Sequence, residues 1–550
     1  MCNQSNSSDV TSHTSAPSTL LDSGVNSASE VETVSKKVDQ ADRDSLGGQS
    51  RSTDVWAEKP TADALLGQKT NWKALWVANF INFLSAMQFS TFMMAVWPQL
   101  QISDQQVSQS FFSVVVSVYA LFQGFTAPLY GRWNTVTRRV RPPVMFGCVL
   151  MLIGNVTYCC AEQIGPVHLR QWAVLLGRAV MGMGVGAMPV IRSYVATGCT
   201  PDDRARALAL NFASGQVGIA LGPGFQVAFS LLGYPGYSVF GVININMYTA
   251  PALITAVGVT IIFFIMLFVF REHYAGVVPV EIKQSKYFVL PKFDGLAIAI
   301  CFYVWFAAAF VQSNTSTIIT PYVMTLYNWD YETAVRNTGY LILVSGCLSG
   351  IGYIITASTR LRQIDSRKSL LVSMSLFLTF FLVTFPWPFV YTGSIQYRLT
   401  DLHRNNTPVP NATVEHLGCD PTYAWCAWTP RVPLPVLFTA FELFLPLAWV
   451  NTLVPMNVLF SRILGARMQG TMQGLLALVG SMGRVVGPVT LTWLFSSYGP
   501  QYSWGCEIIL ITVSITAILV FYKRLIPLKT AESLKYGETV IYKRGVLYKL

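Results

Sequence analysis

The sequence predicts an all-α membrane protein in which twelve transmembrane helices form two pseudo-symmetric six-helix bundles. The first observation is composition: 52% of the 550 residues are hydrophobic and only 12% are charged, against about 25% charged in an average soluble domain. The second is the number of apolar windows about 20 residues long, the length that crosses a bilayer. The third is a glycine motif that recurs in the fifth and eleventh of these windows.

Twelve windows qualify as membrane spans, and we number them in chain order. Spans one to six belong to a predicted N-terminal bundle at 71–272, a cytosolic linker follows at 273–293, and spans seven to twelve belong to a C-terminal bundle at 294–528. The predicted spans lie at 74–97, 109–130, 143–161, 171–194, 207–231, 247–270, 295–318, 335–357, 369–390, 433–458, 469–495 and 503–522.

Both ends of the chain are predicted to be cytosolic tails. Residues 1–70 are rich in Ser, Thr, Asp and Gly with almost no aromatic residue, so they cannot bury enough apolar surface to fold. We therefore expect a disordered tail at 1–70 and a short tail at 529–550. A Leu-Leu pair in ADALLG at 62–67 could bind sorting adaptors, although such a pair also arises by chance. No cleavable signal peptide is expected, so span one would direct membrane insertion.

Positive charges in the short loops predict the orientation. Loops on one side hold sixteen Lys and Arg residues and those on the other hold five, and the positive-inside rule assigns the richer side to the cytosol. Loops that face anionic lipid also explain the net charge of +11 without nucleic acid as a partner. The cytosolic set is Arg132, Arg138, Arg139, Arg141, Arg204, Arg206, Arg271, Lys283, Lys286, Lys292, Arg360, Arg362, Arg367, Lys368, Arg462 and Arg467; the opposite set is Arg170, Arg336, Arg398, Arg404 and Arg431.

The longest loop of the opposite side, at 391–432, has the features of an exoplasmic loop. It contains two N-x-Thr sequons, at Asn411 and Asn405, which predict glycosylation. It also contains Cys419 and Cys426, for which we expect a disulfide in an oxidising lumen, two free thiols being the alternative. No metal site or other cofactor is predicted, because all five histidines fall outside the spans and those of this loop lack paired ligand spacing.

An internal repeat indicates two duplicated halves. GQVGIALGP at 215–223 on span five and GSMGRVVGP at 480–488 on span eleven share the pattern GxxGxxxGP, six spans apart. Transporters built from such repeats bind substrate near the midplane between their halves, and small residues let their helices pack closely. The predicted helix-packing residues are Gly182, Gly184, Gly186, Gly215, Gly218, Gly222, Pro223, Gly480, Gly483, Gly487 and Pro488.

These features resemble the major facilitator superfamily. The span-five GxxxGP element is similar to a motif of its antiporters, and GRWNTVTRRVRP at 131–142 occupies the position of its signature gating loop after span two. The resemblance implies the major facilitator fold. Thr135 stands where the superfamily has an aspartate, which puts the usual charge-relay gating in doubt. The gating-loop residues that match are Gly131, Arg138 and Arg139.

The resemblance extends to a lysosomal branch of that superfamily. It implies a multi-pass protein of the endosomal or lysosomal membrane that moves a small solute, and chloride conductance is proposed for this branch. Relatives carry a glutamate just before the TIITP segment of span seven, where this chain has Ser316, so a role of that acid in proton coupling does not transfer. The matching stretches are MMAVWPQLQ (93–101), RSY (192–194), INMYTAP (245–251), IITP (318–321), GCDPTYAWCAWTP (418–430), SRILG (461–465) and YKRLI (522–526).

Four ionised residues inside the spans are candidates for a substrate cavity, because a charge at mid-membrane costs at least about 2.5–3.5 kcal/mol and usually faces water or a partner. A fifth ionisable residue, Glu507, is expected close to the lumenal edge of span twelve. Arg178 and Arg192 lie nearly on one face of span four. Arg178 is deep in the span, whereas Arg192 lies near the cytosolic end and is expected to anchor at the interface. Arg484, within the span-eleven glycine motif, is expected to pack at a helix or bundle interface.

Glu442, on span ten, is the fourth candidate. It lies one residue from the repeat equivalent of Arg178, and the resemblance places spans four and ten beside the central cavity. We expect Arg178 and Glu442 to alternate between pairing and release, an inert Glu442 being the alternative. Three positive charges against one negative charge favour an anion in the cavity.

The favoured function is a secondary carrier for a small anionic or polar solute that works by alternating access between the halves. An anion channel, such as a chloride channel, on the same scaffold is one alternative, and a non-transporting receptor or scaffold is another. Enzymatic activity is not expected, because no nucleophile, base and orienting residue form a recognisable set. The predicted partners are therefore the lipid bilayer and a small-molecule or ion substrate.

Overall fold

The computed structural model describes residues 69–528, with gaps, and a C-terminal β-hairpin of Val540–Lys543 and Val546–Lys549. The predicted tail at 1–70 lies almost entirely outside the described residues, as does most of the tail at 529–550. The gaps are at 104–108, 164–165, 231, 233–236, 240–242, 248, 278–291, 330, 392, 395–396, 399–416 and 420–422.

Six helical segments form the N-terminal half, each at a predicted span. Span four is divided into two helices, and span six ends in a turn of π-helix at Ile265–Val269. A short hairpin of Tyr237–Val239 and Ile243–Ile245 precedes span six. The helices are Trp72–Ser103, Gln109–Thr137, Arg141–Cys160, Val167–Val185 with Met188–Thr197, Arg204–Ser230, and Ala250–Phe264.

Six further helices form the C-terminal half. Asp294 caps the first of them by accepting hydrogen bonds from the amides of Leu296 and Ala297, and Asp365 caps the third by accepting one from Arg367. The helices are Gly295–Tyr327, Tyr331–Ser358, Ser366–Thr384, Leu434–Leu464, Gly470–Tyr498 and Pro500–Val520.

Ten of the described helices are long and apolar enough to cross a membrane. Spans one and five are outside these ten although their helices have 32 and 27 residues. In span five, polar residues such as Asn211 and Ser214 and the motif glycines lower the hydropathy. This composition suits a helix that contacts protein on several sides, since span five packs against spans one and eight.

Several helices are longer than predicted, span two by seven residues and spans one and ten by six at their C-terminal ends. Three further differences have a local cause. Span four breaks at Gly186 and Ala187, where the flanking Pro189 cannot donate a backbone hydrogen bond. Span seven continues through Pro321 to Tyr327 and ends at Asn328, whose φ of 54° is left-handed. Span nine ends at Thr384, six residues earlier than expected, because prolines follow at 386 and 388.

The two glycine motifs occupy equivalent places in the two halves. On span five, Gly218 lies against the backbone at Phe83 of span one. On span eleven, Gly483 lies against the backbone at Phe306 of span seven. Spans one and seven are equivalent in a six-span repeat, so the motifs pack the same pair of helices in each half. The expected fold of two pseudo-symmetric bundles is confirmed, and each bundle has its own apolar core.

The described parts of the long loop fold onto the C-terminal half. Short strands pair Gly393–Ser394 with Pro430–Arg431 and Tyr397–Arg398 with Leu417–Gly418. Cys419 and Cys426 are joined by a disulfide. The indole of Trp425 covers Gly499, the turn between spans eleven and twelve, and donates to the Ser496 carbonyl oxygen at 3.3 Å. The sequons at Asn405 and Asn411 lie outside the described residues.

Candidate functional site

Arg178 is almost completely buried within span four, with 1% of its surface exposed. Gly182, one turn further along span four, brings the helix against the backbone of Tyr119 on span two. The guanidinium therefore lies over the Tyr119 ring at 4.3 Å and over the Phe92 ring at 5.2 Å, contacts that attract a cation by about 0.5–2 kcal/mol each. Its Nη1 points to the Met181 sulfur, and its Nε is buried without a hydrogen-bond partner.

Arg484 extends this positive region across the junction between the halves. Its Nη2 donates to the Ser481 hydroxyl at 2.9 Å, and its charge is close enough to interact with Tyr119 and with Arg192. Ser481 itself lies against Gly124 of span two. Arg484 was expected to pack at a helix or bundle interface, and in the structure it also lies near the other two arginines.

Arg192, which was expected to anchor at the membrane interface, contacts an aromatic ring of a neighbouring span. Its guanidinium lies over the Phe212 ring of span five at 5.4 Å, and its Nε is buried without a partner. Arg192 lies on the short helix Met188–Thr197, which follows the interruption at Gly186 and Ala187. Arg178, Arg192 and Arg484 thus share one positive region, which we call the arginine cluster.

Tyr119 is the residue that reasoning from the sequence missed. It is buried, lies beneath Arg178 and is close to Arg484, so it joins spans two, four and eleven. Its signal in the sequence was weak, because a tyrosine within an apolar helix is usually part of the core. A neutral phenol beside guanidinium groups can donate a hydrogen bond to an anion that they attract.

Arg178 and Glu442 form no ion pair in this structure. The ion pairs within the described residues join Arg367 with Asp365 and Arg524 with Asp294. Both carboxylate oxygens of Glu442 are buried without a hydrogen-bond partner. The structure therefore leaves the arginine cluster without a carboxylate counter-charge and leaves Glu442 without a cation.

The predicted gating loop contacts the other half of the protein. Gly131 lies directly against Gly470 at the start of span eleven. Thr135 accepts hydrogen bonds from the Thr471 amide at 2.9 Å and the Thr471 hydroxyl at 3.0 Å. A hydroxyl from one half thereby serves as a cap for a helix of the other half, at the position where an aspartate was expected.

Arg138 and Arg139 shape the turn after span two rather than cross to the other half. Arg138 adopts a left-handed φ of 55°, and the Arg139 carbonyl accepts from the Asn134 amide at 3.1 Å. Beside them, Glu272 accepts from the backbone amides of Val140 and Arg141 at 2.8 and 3.1 Å, which caps span three.

Tyr274 donates to the Glu272 carboxylate at 3.2 Å, and burial together with that charge raises the pKa of the phenol. Tyr274 therefore stays a neutral donor, and the end of span six is fastened to the start of span three.

The halves also meet along spans five and eight. The rings of Phe212 and Tyr353 are 5.9 Å apart, and Gly346 lies beside the side chain of Gln216. Tyr353 and Val454, from spans eight and ten, belong to the core of the N-terminal half. We call the end that carries the 131–142 loop the basic-loop end and the other the long-loop end. The contacts named here close the basic-loop end.

Comparison with known proteins agrees with this architecture. Residues 78–397 match the Major Facilitator Superfamily. The chain is 29% identical over 481 residues to "Major facilitator superfamily domain-containing protein 8" of Xenopus laevis, covering 84% of this chain and 93% of that protein.

Solved structures share the fold. The human organic anion transporter MFSD10 superposes with a TM-score of 0.56 at 15% identity and covers 82% of this chain and 100% of its own. The proton:xylose symporter XylE superposes with a TM-score of 0.58 at 14% identity and covers 84% of this chain and 97% of its own.

Proposed function

Because this chain belongs to the major facilitator superfamily, we propose that it moves a small anionic or polar solute across the endosomal or lysosomal membrane by alternating access. Resemblance to the lysosomal branch supports the location. The excess of Lys and Arg in the basic-loop end supports its assignment to the cytosol, with both termini on that side. Contacts between the halves at that end support a carrier that is here closed toward the cytosol.

The arginine cluster carries the proposal about the solute. The guanidinium groups of Arg178 and Arg484 lie beside Tyr119 at the junction of the two halves, and Arg192 lies near Arg484. The ion pairs of the described residues are elsewhere. A buried cation without a counter-charge is costly, so an anion that reaches the cluster gains both attraction and hydrogen bonds. Glu442 is proposed as the counter-charge of Arg178 in the opposite conformation, when the anion has left.

Removal of Arg178 tests the proposal. In proteoliposomes offered labelled chloride, phosphate and small carboxylates at lysosomal and neutral pH, we expect Arg178→Ala to lower anion uptake at least about ten-fold. That is the effect of losing a charge-assisted hydrogen bond worth about 1.5–3 kcal/mol. Arg178→Lys keeps the charge but lacks the planar stacking group, so it should retain part of the uptake. Arg336→Ala is the matched control, because Arg336 is exposed on span eight.

The same assay separates the alternatives. A carrier shows uptake that is accelerated by unlabelled anion on the far side, whereas a channel does not. A receptor or scaffold gives no flux with any anion. Uptake by Arg178→Ala equal to that of the unmodified protein would overturn the role of the cluster. If Glu442 is the counter-charge, Arg178→Glu combined with Glu442→Arg should recover more flux than either change alone.

A further inference from the structure

A buried carboxyl group lies inside the C-terminal half, away from the arginine cluster. Glu507, on span twelve, has 1% of its surface exposed, and its Oε1 accepts a hydrogen bond from Asn314 Nδ2 of span seven at 2.7 Å. Both side chains line a cavity of about 20 Å³ whose other walls are mainly apolar, including Ile318, Phe381 and Trp504. That space is sufficient for one water molecule.

The Glu507–Asn314 pair has one hydrogen-bond donor too few for its buried acceptor atoms. Glu507 Oε2 and Asn314 Oδ1 are both buried without a hydrogen-bond partner, and both can only accept while the carboxyl group is ionised. A proton on Oε2 turns that atom into a donor. The protonated carboxyl and the amide are then complementary, since each group presents one donor and one acceptor to the other.

The charges around Glu507 also favour the neutral form. Spans seven, nine and eleven pack against span twelve. Span seven presents the phenols of Tyr322 and Tyr303, and Cys506 is adjacent on span twelve itself. Among the described residues, span nine has its charged groups, Arg367 and Lys368, at its opposite end, and the Arg484 guanidinium of span eleven is directed to Ser481. An ionised carboxylate here is therefore desolvated without a cation to compensate it.

Span seven connects this carboxyl group to the arginine cluster. Ser313, next to Asn314, donates to the backbone carbonyl of Arg484 at 3.1 Å. Gly487, one turn further along span eleven, lies directly beside the Asn314 side chain. A movement of span seven against span eleven would therefore alter both the Glu507 pair and the helical turn that carries Arg484.

We propose that Glu507 and Asn314 form a proton-binding site, and that the proton bound there travels with the anion. The proposal rests on the anion transport argued above. A proton from water on the long-loop side adds to Glu507 Oε2, forms one O–H bond and changes the charge of the site from −1 to 0. When span seven moves, water on the other side receives the proton. One proton moved with one monovalent anion transfers no net charge, so the transport is electroneutral.

The test compares the protein with Glu507→Gln, which keeps the shape but cannot lose a proton. In proteoliposomes that transport a labelled anion, we expect an inward proton gradient to stimulate uptake by the unmodified protein. Glu507→Gln should lose this stimulation yet still exchange anion for anion when both sides are at equal pH. Glu507→Asp, which retains a carboxyl group, should keep part of the stimulation and serves if the glutamine variant does not fold.

A second readout does not depend on transport. The infrared difference spectrum between acidic and alkaline pH should contain a carboxyl C=O band that disappears in Glu507→Gln, shifts in Asn314→Leu and persists in Glu442→Gln. Absence of any anion uptake would refute the proposed function, while this band would still decide the proton site. Anion uptake with unchanged proton stimulation in Glu507→Gln, together with an unchanged band, would overturn the proton site alone.

Discussion

At the scale of single residues, Thr135 shows how one hydroxyl can replace a carboxylate at a helix end. The amides in the first turn of span eleven need acceptors, and Thr135 supplies one from the other half of the protein. An aspartate there would add its charge to the favourable end of the helix dipole. A threonine gives the hydrogen bond without the charge, so it holds the two halves together at this end less strongly than an aspartate would.

We expect Thr135→Val to shift the protein toward conformations open at the basic-loop end. The lost hydrogen bond is worth about 1 kcal/mol, which is about a five-fold change in population. Spin labels at Val136 and Arg360, both exposed and one on each half, would report the opening as longer distances in electron–electron double resonance, in a protein whose exposed Cys347 is replaced by serine. Thr135→Ser should behave like the unmodified protein. Equal distance distributions for the valine and serine variants would contradict the prediction.

Sequence reasoning identified the arginines but not their partners. Arg178 was recognisable because a charge within a glycine-rich span is costly. Its contact with Tyr119 depends on how spans two and four pack, and Gly182 determines that distance only in three dimensions. Helical spacing placed Arg192 on the same face as Arg178, but its contact with Phe212 could not be predicted, because it depends on how spans four and five pack.

At the scale of the helix, the glycine motifs give the two halves their shared packing. A Cβ at Gly483 would lie 2.8 Å from the Phe306 carbonyl oxygen and 3.0 Å from the Phe310 amide nitrogen. Backbone atoms cannot move away as a flexible side chain can. Span eleven therefore keeps its position against span seven only without a side chain there.

We expect Gly483→Ala to destabilise the purified protein by about 1–3 kcal/mol, the usual cost of overpacking. Gly505→Ala is the matched control, because a Cβ at Gly505 meets no atom within 4 Å. On span twelve that change should be neutral or stabilising by up to about 1 kcal/mol through helix propensity. Thermal unfolding in detergent should give a lower Tm for the first variant only. A similar Tm for both variants would show that the motif does not limit packing.

The helices themselves were readily predicted, because about 20 apolar residues in sequence have few alternatives to a membrane span. Their ends were harder to predict. Pro321 sits inside span seven, where neighbouring helices can compensate for a missing hydrogen bond, yet prolines 386 and 388 terminate span nine. The sequence alone does not distinguish these two situations, since the difference lies in what surrounds each proline.

At the scale of the whole molecule, the two halves contact each other at the basic-loop end. Spans two and eleven approach at Gly131 and Gly470, and spans five and eight approach at Phe212 and Tyr353. If transport requires this end to open, fastening it must stop transport. A permanently continuous pore would be insensitive to the same change.

We expect oxidation of a protein that carries both Thr135→Cys and Thr471→Cys to arrest net anion uptake. The hydroxyl oxygens of these residues are 3.0 Å apart, so the substituted sulfurs can be joined across the halves. Reduction should restore uptake, and each single variant should be unaffected by oxidant. Continued uptake after verified cross-linking would contradict alternating access and would favour the channel.

The position of Trp425 on the turn between spans eleven and twelve bears on resistance to digestion. A protease must draw several residues of extended chain into its cleft, and exposed loop tips are the usual points of attack. The described residues between Cys419 and Arg431 are held by a disulfide, by strand pairing and by the Trp425 indole, which covers Gly499. Cleavage there would first require that indole to move off Gly499, so the fold itself protects the described part of this loop from proteolysis.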